Sequence, residues 1–387
     1  MSLRIAIIGA GPGGATLARL LQFNGVPCTV FDLDNPAVTR SQGGSLDLHP
    51  ESGQLALKEA GLFGEFKKYM RLEGSALRLV EPSGGILLDI KGEGPRAETR
   101  PEIDRRELRE ILLNSLKPGT LHWEKKLINV ESKPNGKFNL HFADATVEEE
   151  YDLVIGADGA WSRVRKLLTD DKPFYSGIFC VETRIEDVNN LFPKTGEIIG
   201  PGGCFYIGEG KALMAQRNGD RSARIYAMLR VPEDWGVSSG INWSDHNTAV
   251  EALLAQQFNQ WDENAKLWFR IGGEMTLRPL YMLPVGFKWN TKPGVTLVGD
   301  AAHLMTPFAG VGVNVALTDA LELSKTIISA ARNEISLSTA IEQYEIMMYE
   351  RSAKSAQLTL DNLNLRFSGE TPQNIANKYK AVMLGDN

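Results

Sequence analysis

The stretch that most restricts this chain is Arg4-Ile5-Ala6-Ile7-Ile8-Gly9-Ala10-Gly11-Pro12-Gly13-Gly14, an apolar run that breaks into glycines and resumes as Ala15-Thr16-Leu17-Ala18-Arg19-Leu20-Leu21. It reads as buried strand, tight turn and helix. Gly9 permits the turn, Gly11 lets the backbone approach a pyrophosphate, and Gly14 lets helix and strand pack closely, with the N–H groups of the helix start free to meet a phosphate. Gly25 ends the helix. Cys28-Thr29-Val30-Phe31 supplies a second strand, and Asp32 follows, where a carboxylate accepts hydrogen bonds from an adenosine ribose. The competing reading is a βαβ unit that binds nothing, and the unit alone does not choose between FAD and NAD.

With 387 residues, 43% of them hydrophobic, there is room for two domains around such a unit. The net charge of -6 argues against a nucleic-acid or anionic-membrane partner. Cys28, Cys180 and Cys204 are far apart and form neither a zinc spacing nor a C-x-x-C pair, so we expect free thiols in a reducing compartment and no metal. The apolar run after Met1 is needed as a strand and lacks a cleavage-site pattern, and no stretch approaches membrane-spanning length, so the expected location is cytoplasmic.

Further along, Gly43-Gly44-Ser45-Leu46-Asp47-Leu48-His49 marks a place where backbone passes something closely. Residues 50 to 69 suggest helix broken at Gly61, and 71 to 99 a β-hairpin turning at Pro82-Ser83-Gly84-Gly85. Asp104 should cap an amphipathic helix whose first turn carries Arg105 and Arg106. Cations there oppose the helix dipole, so either another anion holds one of them or both lie on an exposed face beside Glu107 and Glu110. Strands are expected at 127–130 and 138–142, and Tyr151-Asp152-Leu153-Val154-Ile155-Gly156-Ala157-Asp158-Gly159 reads as another buried strand, with Ser162 to Arg165 opening a helix. From 173 to 276 the pattern is β-rich and aromatic, interrupted by one helix at 249–258. The α/β pattern returns with Gly294 to His303, then Pro307-Phe308-Ala309-Gly310-Val311-Gly312-Val313-Asn314 opening a helix over 315–330. A final helix over 338–366 is polar enough to lie across the outside, and the residues from Thr371 should fray.

Three strand ends therefore carry functional-looking turns, at Gly9 to Gly14, Gly156 to Arg165 and Gly299 to Asn314. In this order they resemble the three fingerprints of the single-component, FAD-dependent aromatic hydroxylases, or class A flavoprotein monooxygenases. Gly43 to His49, Pro101-Glu102-Ile103-Asp104-Arg105, Ile111 to Leu116 and Gly299 to Asn314 are similar to the tetracycline-inactivating members of that group. The resemblance implies an α/β fold with a Rossmann-like FAD-binding domain of the glutathione-reductase-like type, a β-sheet substrate domain and a long C-terminal helix. The division it suggests is 1–70, 100–172 and 277–330 for FAD, 71–99 and 173–276 for substrate, and 331–387 for the C-terminal helix and tail. It implies that Asp47, Arg105 and Asp300 contact FAD, that Arg40 contacts NADPH, and that Asp158 supports both.

The residues themselves bear on these roles. Asp300 ends a strand, while Gly310 and Gly312 leave no side chain between the helix start near Asn314 and a flat ring, so the positive helix end would stabilise a reduced, anionic flavin. For His303 a helix-turn hydrogen bond outweighs catalysis. The relatives' Glu-Arg pair after the second strand is Asp32-Leu33 here, which keeps the ribose carboxylate and loses a stacking arginine. The destructases' polar substrate contacts align with Glu182, Ala212 and Arg224, where none matches, whereas Pro307 and Phe308 do match. Glu182 and Arg224 suggest a polar or anionic substrate group.

Together these give a monomeric monooxygenase that consumes NAD(P)H and O2 and hydroxylates an aromatic or enolic polycyclic small molecule, tetracycline among the candidates, through a C4a-hydroperoxyflavin. No acid-base side chain is assigned, because the flavin carries the hard chemistry. The alternatives are a hydroxylase of another phenolic metabolite, a halogenase or dehydrogenase on the same fold, and a protein that sequesters an aromatic ligand. The scattered Trp235, Trp243, Trp261, Trp268 and Trp289 do not make a halogenase signature.

Overall fold

Ile5–Ile8 is buried along its whole length, as a four-residue apolar run must be when both faces of its sheet are covered. It pairs in parallel with Thr29–Phe31 on one side and Leu153–Gly156 on the other. A computed structural model describes residues 3–35 and 43–384; in it these strands form the middle of a five-stranded parallel sheet completed by Val295–Leu297 and Leu121–His122. The three fingerprint turns leave the C-terminal ends of three adjacent strands of that sheet, the crevice where open α/β sheets place ligands. The helices Pro12–Phe23 and Gly312–Ala331 pack against each other beside it.

A second, seven-stranded sheet runs in the order Thr276–Met282, Phe174–Ile185, Ala223–Arg230, Lys211–Arg217, Gly203–Gly208, Leu77–Val80 and Ile86–Ile90. Its pairings are antiparallel except between Gly203–Gly208 and Leu77–Val80. The 71–99 hairpin is therefore an edge of this sheet. One face carries a large core containing Trp235, Leu253, Trp268 and Phe269, and the other a smaller one containing Met214, Met228, Phe308 and Leu363. The first face is covered by Pro193–Ile199, His246–Gln257 and Glu263–Arg270, so more than the one expected helix interrupts the strands. Val188–Leu191 and Trp235–Ser238 add two single turns, and all of these unanticipated helices are short.

Three further expectations change. Ser162 to Arg165 opens only a short 3-10 turn, Val164–Leu167. The residues after Thr371 form the helix Pro372–Leu384, whose Ile375 and Ala376 are buried. The long helix Leu337–Arg366 does not lie outside: Ile341, Tyr344, Met348 and Leu363 are buried, and the Tyr344 hydroxyl donates to the Leu297 carbonyl at 2.8 Å. Its polar residues include Glu345, buried and accepting from Trp289 Nε1 at 2.9 Å and Thr296 Oγ1 at 2.8 Å. A buried polar group with its partners supplied adds nothing to an apolar periodicity, so this core face was hidden. No helix among the described residues is long and apolar enough to cross a membrane.

Candidate active site

The fingerprint turns and the second face of the seven-stranded sheet enclose a cavity of about 1120 Å³. Its geometry starts at Gly9, whose φ of +107° is left-handed backbone and whose absent Cβ would lie 2.2 Å from the Ala157 carbonyl oxygen. A Cβ on Gly14 would lie 2.1 Å from the Gly9 carbonyl oxygen, so strand and helix touch backbone to backbone. Gly11 differs. A Cβ there meets nothing within 4 Å, and the residue lines the cavity, so the vacant space belongs to whatever the cavity holds. Gly312, on the cavity wall at the start of the Gly312–Ala331 helix, is open in the same way. At both places first-turn N–H groups, which have no partner within their helices, reach the wall. Two open glycine cradles on one cavity fit a dinucleotide carrying a flat ring.

The other expected cofactor residues divide into those that line the cavity and those that brace it. Asp47, Arg105, Asp300, Pro307 and Gly310 line it. Asp47 is hydrogen-bonded to His49 Nε2 at 2.9 Å. The Arg105 side chain has no hydrogen bond or ion pair among the described residues, whereas Arg106 pairs with Glu110 on the surface at 2.8 Å. The exposed-face reading of that helix start thus describes Arg106, while the Arg105 side chain faces the cavity. The helix is not side-chain capped as expected, because the Asp104 carboxylate instead accepts from Arg71 at 2.8 Å and from the Gly219 N–H at 2.8 Å.

Asp32, Asp158 and Asn314 are not on the cavity wall. The Asp32 carboxylate accepts from the N–H groups of Ala10 at 2.6 Å and Asp34 at 2.8 Å, fixing the first turn. Asp158 accepts from Ser162 Oγ and from the Arg163 N–H at 2.6 Å, and burial raises its pKa. Asn314 accepts from the His49 N–H at 2.9 Å and donates to the Asp47 carbonyl at 2.8 Å, clamping the 47–53 segment to the helix start. Gly44 answers to the close passage expected of it: a Cβ would lie 2.1 Å from Gln216 Oε1. His303 is buried against Asp319, which also binds Arg351 and the Gly299 N–H. Burial opposes its charge but the Asp319 carboxylate prevails and raises its pKa, which is a structural ion pair away from the wall. Arg40 lies outside the described residues.

Of the expected substrate residues, Pro307 and Phe308 line the cavity. Glu182 and Arg224 do not: they are buried and bound to each other at 2.5 Å, and Glu182 also accepts from Arg278 at 2.7 Å. Their suggestion of an anionic substrate group fails, because the arginine's charge is met by its own sheet neighbour. Arg96, Arg100, Glu102, Phe205, Tyr226 and Arg366 are on the wall and were not singled out. Burial, then the neighbouring Asp47, pushes the Glu102 carboxyl up to about 7, and Ser45 Oγ donates to it. Its signal was present in Pro101 to Arg105, although no chemistry had been attached to it. Burial also pushes the thiols of Cys28 and Cys204 up to about 12, so neither is a thiolate at neutral pH. Among the described residues no cluster of His, Cys, Asp and Glu is placed to hold a metal.

The cavity thus has a polar end around Asp47, Glu102 and Arg105 and an apolar end around Phe205, Met214, Met228 and Phe308. A family described as FAD binding domain matches residues 2–178 and 288–359, the parts that carry the parallel sheet and its turns. The chain belongs to this family of FAD-dependent monooxygenases of the aromatic-hydroxylase type. It is 33% identical to Monooxygenase asqM of Emericella nidulans over 98% of both chains. It is 28% identical to 3-amino-4-hydroxybenzoate 2-monooxygenase PtmB3 of Streptomyces platensis, over 90% of this chain and 84% of that one. The fold is shared with Klebsiella pneumoniae HpxO, solved with FAD and uric acid, at 18% identity and a TM-score of 0.79 over 99% and 95% of the two chains. Tetracycline destructase Tet(55) matches at 18% identity and a TM-score of 0.76, over 99% of this chain and 95% of the other.

Proposed function

We propose that the protein uses FAD, NADPH and O2 to hydroxylate a planar aromatic or enolic small molecule. The observation that carries the reading is the single cavity joining two glycine cradles, at Gly11 and Gly312, to an apolar sheet face. Bound FAD supplies the redox chemistry. Gly11, Gly13 and Gly14 take the pyrophosphate on their N–H groups, Arg105 adds positive charge, and Asp47 and Asp300 accept hydrogen bonds from the cofactor's hydroxyl groups. The first turn of the Gly312–Ala331 helix offers N–H groups and a positive dipole end to an electron-rich ring edge. Phe308, Met214 and Met228 hold the substrate's flat body and exclude water. We read Asp32, Asp158 and Asn314 as supports for these groups. The FAD-holding unit combines 1–70, 100–172 and 277–330, with 71–99 and 173–276 forming the substrate side.

Aerobic incubation of the FAD-loaded protein with NADPH and either 3-amino-4-hydroxybenzoate or tetracycline, followed by mass spectrometry, tests the reading. A product heavier by one oxygen, labelled from 18O2 and absent without NADPH, is the expected result. NADPH consumption unaffected by both compounds, with both recovered unchanged, would count against it.

A further inference from the structure

Arg366, the last residue of the long helix Leu337–Arg366, is only 6% exposed and yet lines the cavity. Its Nε is buried without a hydrogen-bond partner, and among the described residues no carboxylate or carbonyl meets any of its nitrogens. The groups around it are rings. Its guanidinium carbon lies 5.2 Å from the centroid of Phe308, 5.4 Å from Tyr379 and 5.8 Å from Phe205. Cation–π contact offsets part of the desolvation of a buried guanidinium but leaves its in-plane donors unused. Burial pushes its pKa down to about 10, so it keeps its charge at neutral pH. Lys378, another cation on the wall, is already paired with Glu370 at 3.0 Å.

Arg224 is the useful contrast, since it is buried to the same degree but has Glu182 against it. A fold that supplies an acid to one buried arginine and only rings to the other leaves the second with its charge unmatched. Removing a buried charge from water without a counter-charge is costly, and a ligand that supplies the missing anion recovers that cost on binding.

We propose that Arg366 recognises an anionic oxygen, a carboxylate or an enolate, carried by a planar conjugated substrate. The flat ring system lies against Phe308 and Phe205 while the oxygen accepts from the guanidinium fork. This rests on the hydroxylase reading for the identity of the ligand as substrate, but binding itself needs no turnover. Arg366 is then a specificity-determining residue, on a part of the wall outside the three fingerprint turns.

Binding to the oxidised, FAD-loaded protein without NADPH, followed by the change in flavin absorbance, tests this apart from oxygenation. Two matched pairs serve as probes: 3-amino-4-hydroxybenzoate with its methyl ester, and 4-hydroxycoumarin with 4-methoxycoumarin. The native protein should prefer the anion of at least one pair by about tenfold to a hundredfold, the range of a charge-assisted hydrogen bond. A preference in the first pair alone identifies a carboxylate, and in the second alone an enolate. In R366Q the preference should vanish while the neutral partners bind as before, and in R366K it should partly persist. Equal binding of anion and neutral partner by the native protein in both pairs would overturn the proposal, as would an undiminished preference in R366Q. Should R366Q not retain FAD, the native and R366K measurements still decide. Preference without oxygen incorporation into any probe would leave Arg366's role standing and count against the hydroxylase reading alone.

Discussion

Part of the cavity wall offers main-chain N–H groups, at Gly11, Gly13, Gly14 and Gly312, and another part offers side chains such as Gln216 and Arg366. The first wall is local. Gly14 is required by the Gly9 carbonyl and Gly9 by the Ala157 carbonyl on the neighbouring strand, and these contacts set the turn in which Gly11 stays open to the cavity. The second wall is assembled from the 203–230 strands, the end of the Leu337–Arg366 helix and Tyr379, segments distant in sequence. A main-chain wall can hold a cofactor common to a whole family because any sequence that makes the turn makes the donors. A side-chain wall can change its ligand by changing single residues while the turns stay as they are.

The largest expected effect breaks the first wall. Gly9→Ala puts a methyl group 2.2 Å from the Ala157 carbonyl oxygen, at a φ of +107° that alanine tolerates poorly. Neither atom can move without separating two strands of the parallel sheet. The loss should be about 3–5 kcal/mol by urea unfolding, with the purified protein stripped of FAD. A flavin-loaded variant of native stability would mean that the turn is looser than this contact requires.

In the sheet behind the second wall, E182Q should distinguish an ion pair that builds the sheet from one that reads the substrate. It leaves the buried guanidinium of Arg224 and that of Arg278 against a neutral amide. We expect a loss of about 2–4 kcal/mol in unfolding free energy, somewhat less than complete removal of a buried partner because Gln still accepts one hydrogen bond. The preference for anionic over neutral probes should not change. A loss of preference as large as that in R366Q would place Glu182 and Arg224 back among the groups that sense the ligand.

This division also explains what could be read without coordinates. The glycine turns and the strand ends at Gly156 and Gly299, with Asp300 beside the latter, were legible, because the requirement that selects them acts between near neighbours or through backbone, whereas Asp47 was reached only through the family resemblance. Arg366 was not. At the end of a helix that also carries Arg351, Lys354 and three glutamates, its sequence context is that of a solvated cation, and only the packing of Phe205, Phe308 and Tyr379 makes it a buried one. Arg224 failed in the opposite direction: alignment with the destructases made it and Glu182 candidate substrate contacts, but could not reveal that the two lie on adjacent strands and bind each other. Glu345 and the inward face of its helix were missed for the same reason, because three donors from residues 289–296 make a buried carboxylate acceptable.

Glu102 lines the same cavity, and it gives the smallest effect and the sharpest pH signature. Its strand, Glu102–Asp104, pairs with Ser45–Asp47, which places its carboxyl beside that of Asp47 in a buried setting. Burial first and this repulsion second push it up from 4.5 to about 7. Between those values the folded chain holds a proton that the unfolded chain has released, so the group's contribution is fully present below about pH 4.5 and is lost as the pH rises through 7. E102Q cannot titrate and keeps the carboxyl's shape, so its stability should fall less between pH 5 and pH 8 than that of the native protein, by about 1–3 kcal/mol. Urea unfolding of the flavin-loaded proteins at the two pH values measures the difference. Parallel pH profiles would mean that Arg71 and Arg105 hold Glu102 ionised in the loaded protein, and that the polar end of the cavity is matched in charge by its own side chains, as the sheet is at Glu182 and not at Arg366.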